Sequence, residues 1–260
     1  MGKAPVDTGA HSRSLGGTPF PMKLRPALGF AISCLLAGAA VGADQASKKD
    51  KAPNPVFAAV TDTPGLPRVL LIGDSISMGY TLPVRATLAG RANVHRPPEN
   101  CGDTARGVQS LEKWLGSGKW DVIHFNFGLH DLKYVNEKGA LAGPDQGGKQ
   151  VASLADYEKN LRAIVARLKR TGAKLVWAAT TPVPAGSTGR IEHDELRYNE
   201  VAARVMRELG VAINDLHAFV PPQQAKLQRP QNVHFTDAGS AALAAQVVAT
   251  IQPLLPAGAR

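Results

Sequence analysis

Apolar residues along the chain fall into short runs that are rich in Val, Ile and Leu, and each run ends near a glycine or a polar residue. Runs of this length and composition are typical of strands buried on both faces of a sheet. They predict five strands, at 69–72, 92–95, 122–126, 175–179 and 211–213.

Between these runs the apolar positions recur every three or four residues, which predicts amphipathic helices. The clearest stripe lies in 154–168, where Gly172 follows as a stop signal. Its apolar positions are Leu154, Tyr157, Leu161, Ile164, Val165 and Leu168. Further helices are predicted at 82–88, 108–115, 195–209 and 236–251, the last with Thr236 as its N-cap.

Strands that alternate with helices predict an α/β fold, in which helices cover both faces of a mainly parallel, five-stranded sheet. In such three-layer α/β/α folds, sites form at the carboxyl ends of the strands. Polar clusters do follow the predicted strands here, at 73–77, 100–104, 128–131 and 180–184, and another precedes the last helix, at 232–236. Chemistry is therefore expected at this one edge of the sheet.

The amino-terminal region has the features of an export signal. Lys23 and Arg25 precede an apolar stretch that is short for a membrane span, and small residues at 41–43 allow cleavage before Asp44. We interpret 1–43 as an N-terminal extension and a signal peptide that starts near Met22, 44–67 as a linker, and 68–256 as the folded domain. This interpretation predicts a periplasmic or secreted protein with no stable membrane span after cleavage; a buried core helix at 27–40 is the alternative.

Composition narrows the class of protein further. The chain of 260 residues has a formal charge of +9, but its basic residues are dispersed and only 5% of the residues are aromatic, so a nucleic-acid partner is not expected. Its two cysteines cannot build a disulfide scaffold, and cleavage of the signal would leave Cys101 as the only one. No cofactor is expected, and composition leaves the oligomeric state open.

The first polar cluster, Gly73-Asp74-Ser75, places a serine hydroxyl where a strand turns into a helix. Amides at a helix N-terminus stabilise developing negative charge, although a serine there is also a common helix cap. Together with Gly102, with Gly128-Leu129-His130-Asp131 and with Val233-His234-Phe235, this turn resembles the sequence blocks of the SGNH, or GDSL, hydrolases. The resemblance covers about 68–252 and implies a flavodoxin-like fold and a serine esterase or acylhydrolase.

The resemblance implies Ser75 as the nucleophile and His234 as its base. The oxyanion hole would be formed by the amides of Ser75 and Gly102 and by the side chain of His130, which stands where the family has asparagine. The family's usual acid would stand at Gln231, three residues before His234.

With no acid at that position, the histidine needs another group to orient it. Gln231, its neighbour Asn232 and a backbone carbonyl are the candidates, which would give a Ser–His dyad. Asp215 and Asp237 are the nearby acids that a displaced triad would use.

Other interpretations of the same residues remain. His124, His130 and Asp131 could be collected into a metal site, although they do not share the spacing of a zinc motif. Cys101 is expected to be a small buried residue rather than a nucleophile. The long loops at 133–150 and 184–194 are expected to shape the substrate site.

The expected substrate is a small-molecule or glycan ester, with short acyl groups such as acetyl on sugars favoured over long chains because aromatic residues are few. An acyltransferase acting on glycan and a catalytically weak carbohydrate-binding relative are the alternative functions.

Overall fold

The computed structural model describes residues 54–256, and the proposed export signal lies outside this range. Within this range, seven strands form in chain order: β1 (Arg68–Ile72), β2 (Asn93–His95), β3 (Val122–Phe125), β4 (Tyr134–Val135), β5 (Lys149–Gln150), β6 (Lys174–Ala178) and β7 (Ala212–Asn214). The helices are α1 (Ser75–Thr87), α2 (Thr104–Leu115), α3 (Leu154–Lys169), α4 (Glu195–Glu208), α5 (Leu216–Phe219), α6 (Gln224–Leu227) and α7 (Asp237–Ile251).

The main sheet is five-stranded and parallel throughout, in the order β2-β1-β3-β6-β7. Strands β1 and β3 lie at its centre and are almost fully buried, as their continuous apolar sequences predict. Ile72 pairs with Phe125, so the loops that leave β1 and β3 start side by side at the carboxyl edge.

Helices cover both faces of this sheet. Helix α1 packs against α7, whereas α3 packs between α2 and α4. The apolar stripe predicted for α3 is buried from Tyr157 to Leu168. The predicted three-layer α/β/α architecture with a five-stranded parallel sheet is therefore confirmed.

The first two helices begin earlier than the apolar pattern predicts. Helix α1 starts at Ser75, seven residues before the predicted start at Leu82, because its first turns carry small and polar residues and Asp74 caps it by accepting from the Ile76 amide at 2.9 Å. Helix α2 starts at Thr104 rather than at Val108, which is exposed.

Two further differences concern the connections. The loop at 133–150 contains a small antiparallel hairpin, β4–β5, and the segment before α7 contains the short helices α5 and α6. The end of the predicted linker, 54–67, packs on the domain: Val56 is buried, and the Asn93 side chain bonds both the amide and the carbonyl of Thr63.

Candidate active site

Ser75 is the first residue of α1 and is separated from the end of β1 only by the turn Gly73-Asp74. Its backbone amide is one of the first amides of the helix. These amides have no acceptor inside the helix and can bind a negatively charged group. A side chain at Gly73 would place a Cβ atom 2.9 Å from Ser77 Cβ, so the tight turn before the serine favours glycine. The predicted nucleophile thus stands half-buried at a helix N-terminus on the carboxyl edge of the sheet.

His234 meets this serine from the opposite end of the domain sequence. Its Nε2 lies 2.8 Å from Ser75 Oγ, across 159 positions of the chain. Burial lowers the pKa of His234; the positive charges of Arg190 and Arg229 lower it further, and the Asp74 carboxylate opposes them. At neutral pH the ring is therefore uncharged and can accept the hydroxyl proton.

Asn232 lies on the other side of the same ring. Its Oδ1 is 2.7 Å from His234 Nδ1 and also accepts from the His234 backbone amide at 2.9 Å. A backbone N–H is only a donor, so this second bond requires the oxygen end of the amide to face the histidine. Nδ1 then carries the ring proton and Nε2 is left as the acceptor that faces Ser75.

The other candidates for orienting His234 lie elsewhere. Gln231 adopts a left-handed backbone (φ 53°), and its side chain is next to Gly186 in the loop after β6. Asp215 caps α5 through the Ala218 amide, at 2.9 Å, and Asp237 is an exposed residue in the first turn of α7.

His130 lies in the loop after β3, close enough to the nucleophile turn for the charge of Asp74 to act on it. Burial lowers its pKa; the charges of Lys133 and Arg190 act in the same direction, whereas those of Asp74 and Asp103 raise it. Its Nδ1 is 3.2 Å from the ammonium of Lys133. The ring is therefore uncharged at neutral pH and has one proton to donate.

The amide of Gly102, another predicted oxyanion donor, has a partner in this structure. It donates to Asn100 Oδ1 at 2.9 Å, and the left-handed backbone of Gly102 (φ 65°) gives this turn its shape. The Gly102 amide can donate to an oxyanion only if this hydrogen bond to Asn100 is shared or broken.

Arg96 and Asp131 support these loops, a role that the sequence did not predict for either of them. The buried guanidinium of Arg96 donates to the carbonyls of Gly73 (3.3 Å) and Glu99 (3.1 Å), which joins the loops after β1 and β2. Asp131 Oδ1 accepts from Thr104 at both its amide (2.9 Å) and its hydroxyl (2.5 Å), which ties the loop after β3 to the start of α2. For Arg96 the available signal was a charged residue directly after a strand, and for Asp131 it was its place in the polar cluster at 128–131.

His124 and Cys101, on which the alternative interpretations depend, are both buried. His124 is fully buried within β3, with Nε2 3.1 Å from Asn214 Nδ2, and burial lowers its pKa to about 3. Within 54–256, no three His, Cys, Asp or Glu side chains are grouped to hold a metal ion. Cys101 is buried, and burial raises the pKa of its thiol to about 12, so a reactive thiolate is not available there.

A cavity of about 380 Å³ opens beside the Ser75–His234 pair. Its apolar wall includes Ile76, Leu82 and Phe235, and its polar wall includes Arg229 and Asp237. This volume lies within the range of small-molecule sites, and its mixed lining suits a ligand with both apolar and hydroxyl-bearing parts.

In the described part of the chain, no helix has both the length and the apolar character needed to cross a membrane.

Comparisons with known proteins identify the family of the chain. The model of the GDSL-like Lipase/Acylhydrolase family matches residues 71–242. No curated protein sequence matches the chain.

Solved structures with the same fold include three named hydrolases. A lipase/acylhydrolase from Enterococcus faecalis is 20% identical, with a TM-score of 0.58 over 74% of this chain and 98% of that one. The acetyl xylan esterase AlAXEase is 16% identical (TM-score 0.57; 71% and 99% covered), and the acetylxylan esterase Axe2 from Geobacillus stearothermophilus is 18% identical (0.56; 71% and 94%).

At these identities the structures establish the fold, whereas the match of the family model covers most of the domain with both the serine turn and the histidine block inside it. The chain therefore belongs to the GDSL-like lipase/acylhydrolase family, and it is an ester hydrolase.

Proposed function

We propose that the protein is an exported serine esterase that removes short acyl groups, such as acetyl, from carbohydrates through an acyl-enzyme intermediate on Ser75. The observation that carries the mechanism is the chain of contacts from Ser75 Oγ to His234 Nε2 (2.8 Å) and from His234 Nδ1 to Asn232 Oδ1 (2.7 Å). A nucleophile, a base and a group that orients the base are the parts that covalent catalysis by serine needs.

In the first half-reaction, Ser75 Oγ attacks the ester carbonyl carbon while His234 Nε2 takes the hydroxyl proton. The carbonyl electrons move to oxygen, where the Ser75 amide, the His130 side chain and, once freed from Asn100, the Gly102 amide donate hydrogen bonds. The carbon–oxygen bond to the alcohol then breaks, and His234 returns the proton to the leaving alcohol. In the second half-reaction, water repeats the sequence and releases the acid and the free serine.

The substrate class is supported by the cavity and by the relatives. The cavity beside Ser75 is about 380 Å³, and its lining combines apolar side chains with Arg229, Asp237 and Ser240, which suits hydroxyl-rich ligands. Two of the structural relatives are named acetyl xylan esterases. Export is supported by the composition of residues 22–43 and remains part of the proposal.

A panel of esters tests this proposal. Purified protein is incubated with acetylated sugars and with nitrophenyl esters of increasing acyl length, and the Ser75→Ala variant serves as the blank. We expect hydrolysis of the acetyl esters, a decline with chain length, and no hydrolysis by Ser75→Ala at an unchanged melting temperature. A Ser75→Ala protein as active as the wild type would refute the mechanism, and a preference for long acyl chains would refute the substrate class.

A further inference from the structure

The contact between Lys133 and His130 determines which nitrogen of the histidine ring carries the proton. Lys133 Nζ lies 3.2 Å from His130 Nδ1. An ammonium group has three donors and no acceptor, so Nδ1 must be the unprotonated nitrogen that accepts. A neutral imidazole has a single ring proton, which therefore resides on Nε2.

This choice matters because the two tautomers of a neutral imidazole act oppositely on an oxyanion. The nitrogen that carries the proton donates a hydrogen bond, whereas the other presents a lone pair that repels negative charge. With Nδ1 turned to Lys133, Nε2 is the nitrogen left for the substrate. An asparagine at this position would need no such control, since its side-chain nitrogen is always a donor.

The segment that carries both residues is held at several points. The carbonyl of Leu129 accepts from Arg190 Nε (3.2 Å) and Nη2 (3.1 Å), and the carbonyl of Lys133 accepts from the Val151 amide at 2.9 Å. Leu132 is fully buried between these points. The fold thus fixes the backbone on both sides of the Lys133–His130 contact.

We propose that Lys133 is a positioning residue for ester hydrolysis: its ammonium group donates to His130 Nδ1 and thereby keeps the ring proton on Nε2, the nitrogen that donates to the oxyanion. This inference rests on the proposed function, because it gives His130 its place in the oxyanion hole. In this role Lys133 itself touches neither the ester nor the reacting oxygen.

The first test replaces the ammonium by an apolar group of similar length. Lys133→Met should lower kcat by about tenfold or more, short of the ~10²–10³ that complete loss of an oxyanion donor costs. KM should change less than about twofold, because the interaction is made in the transition state. Lys159→Met, at an exposed lysine of α3 outside the loops expected to shape the substrate site, is the matched control and should behave as wild type.

The second test makes Lys133→Met in a protein that has asparagine at position 130, since an asparagine side chain has no tautomers to control. In a His130→Asn background, Lys133→Met should lower kcat by less than about twofold further, because the asparagine donates without help. An equal loss in both backgrounds would mean that Lys133 acts on the fold or on the substrate, and would overturn the proposal.

The third test does not depend on activity. Nitrogen chemical shifts of ¹⁵N-labelled histidine in the full protein report the tautomer of His130, which we expect to be Nε2–H in the wild type and mixed or Nδ1–H in Lys133→Met. An Nδ1–H ring in the wild type would refute the inference.

The two proposals fail in distinguishable ways. If hydrolysis does not depend on Ser75, the proposed function fails, whatever the tautomer of His130. If hydrolysis depends on Ser75 but Lys133→Met keeps the wild-type kcat, only the role of Lys133 fails.

Discussion

At the residue scale, Asn232 replaces a carboxylate with a neutral group of nearly the same shape. In a full triad, an amide in place of the acid favours the wrong histidine tautomer and costs about 10⁴ in kcat. Here the backbone amide of His234 holds the oxygen end of Asn232 toward the ring, so the tautomer is the productive one. What the asparagine lacks is the negative charge that would stabilise the protonated ring.

Restoring that charge should move the pH dependence of kcat/KM to higher pH. Burial lowers the pKa of His234, with Arg190 and Arg229 acting in the same sense and Asp74 against them, so its ring should stay uncharged to a lower pH than that of a free histidine. In Asn232→Asp an adjacent carboxylate should raise that pKa by about one unit or more. The acid limb of kcat/KM should shift to higher pH, and kcat at pH 8 should rise.

The pH–rate profiles of both proteins measure this shift. As controls, Asp215→Asn and Asp237→Asn should each change kcat by less than about tenfold, because neither carboxylate contacts His234. An acid limb that stays in place in Asn232→Asp would show that position 232 does not face the base.

His130 is the second residue whose chemistry departs from the family pattern. His130→Ala should lower kcat by ~10²–10³, the usual cost of one oxyanion donor. His130→Asn should restore part of the loss, because an amide nitrogen can donate from the same place. A kcat that is unchanged in the alanine variant would place His130 outside the oxyanion hole.

The sequence could supply the main residues of the candidate site but not their partners. Ser75, Gly102, His130 and His234 were recognisable from short blocks, and Asn232 was one of several candidates for orienting the histidine. The pairs His130–Lys133 and Gly102–Asn100 depend on loop conformations, which no apolar periodicity records.

At the element scale, Asp131 joins the loop after β3 to the start of α2. Its carboxylate is fully buried, and burial raises its pKa to about 7, with the bonds from Thr104 opposing that shift. An unfolded aspartate titrates near ~3.9. Below about pH 4 the carboxyl is protonated in both the folded and the unfolded state. As the pH rises toward 7, the unfolded state loses this proton while the folded state keeps it, so the free energy of unfolding should fall over that interval.

Asp131→Asn should remove this dependence, because an amide oxygen can accept the same two bonds from Thr104 without a charge. Between pH 4 and pH 8, the free energy of unfolding of the wild type should fall relative to the variant by up to about 4 kcal/mol, three pKa units at ~1.4 each. Urea unfolding at both pH values measures the difference. Parallel pH dependences of the two proteins would contradict it.

The helices also show what the apolar pattern can and cannot predict. Helix α3 was predicted almost to the residue because its buried face consists of large apolar side chains. Helix α2 was predicted too short because part of its contact with α3 is made by Gly107: a Cβ there would lie 2.7 Å from Ile164 Cδ1. A close approach that needs glycine leaves no hydrophobic signal in the sequence.

At the scale of the whole molecule, the folded domain includes residues that the sequence assigned to a linker. Thr63 is bonded to Asn93 at 2.9 Å, and Val56 is buried against the domain, so the segment 54–67 contributes to stability. Composition could not reveal this, since Pro, Ala and charged residues predict a linker whether or not the segment packs.

Shortening the chain from its amino terminus tests which residues belong to the folded domain. A protein that begins at Asp44 should unfold cooperatively, because the apolar stretch before it belongs to the proposed signal and not to the core. One that begins at Arg68 should be less stable, because it loses the contacts of 54–67. Thermal or urea unfolding measures both, and loss of cooperative unfolding in the longer protein would contradict the assignment of 1–43.

Ester hydrolysis by the proposed mechanism requires a covalent intermediate at Ser75. Intact mass spectrometry after rapid mixing with 4-nitrophenyl acetate, followed by peptide mapping, tests it most directly. We expect a burst of one nitrophenol per protein and the mass of one acetyl group on the peptide that contains Ser75, with neither in Ser75→Ala. Hydrolysis that proceeds without a burst and without any adduct on Ser75, at the same rate in Ser75→Ala, would contradict the account.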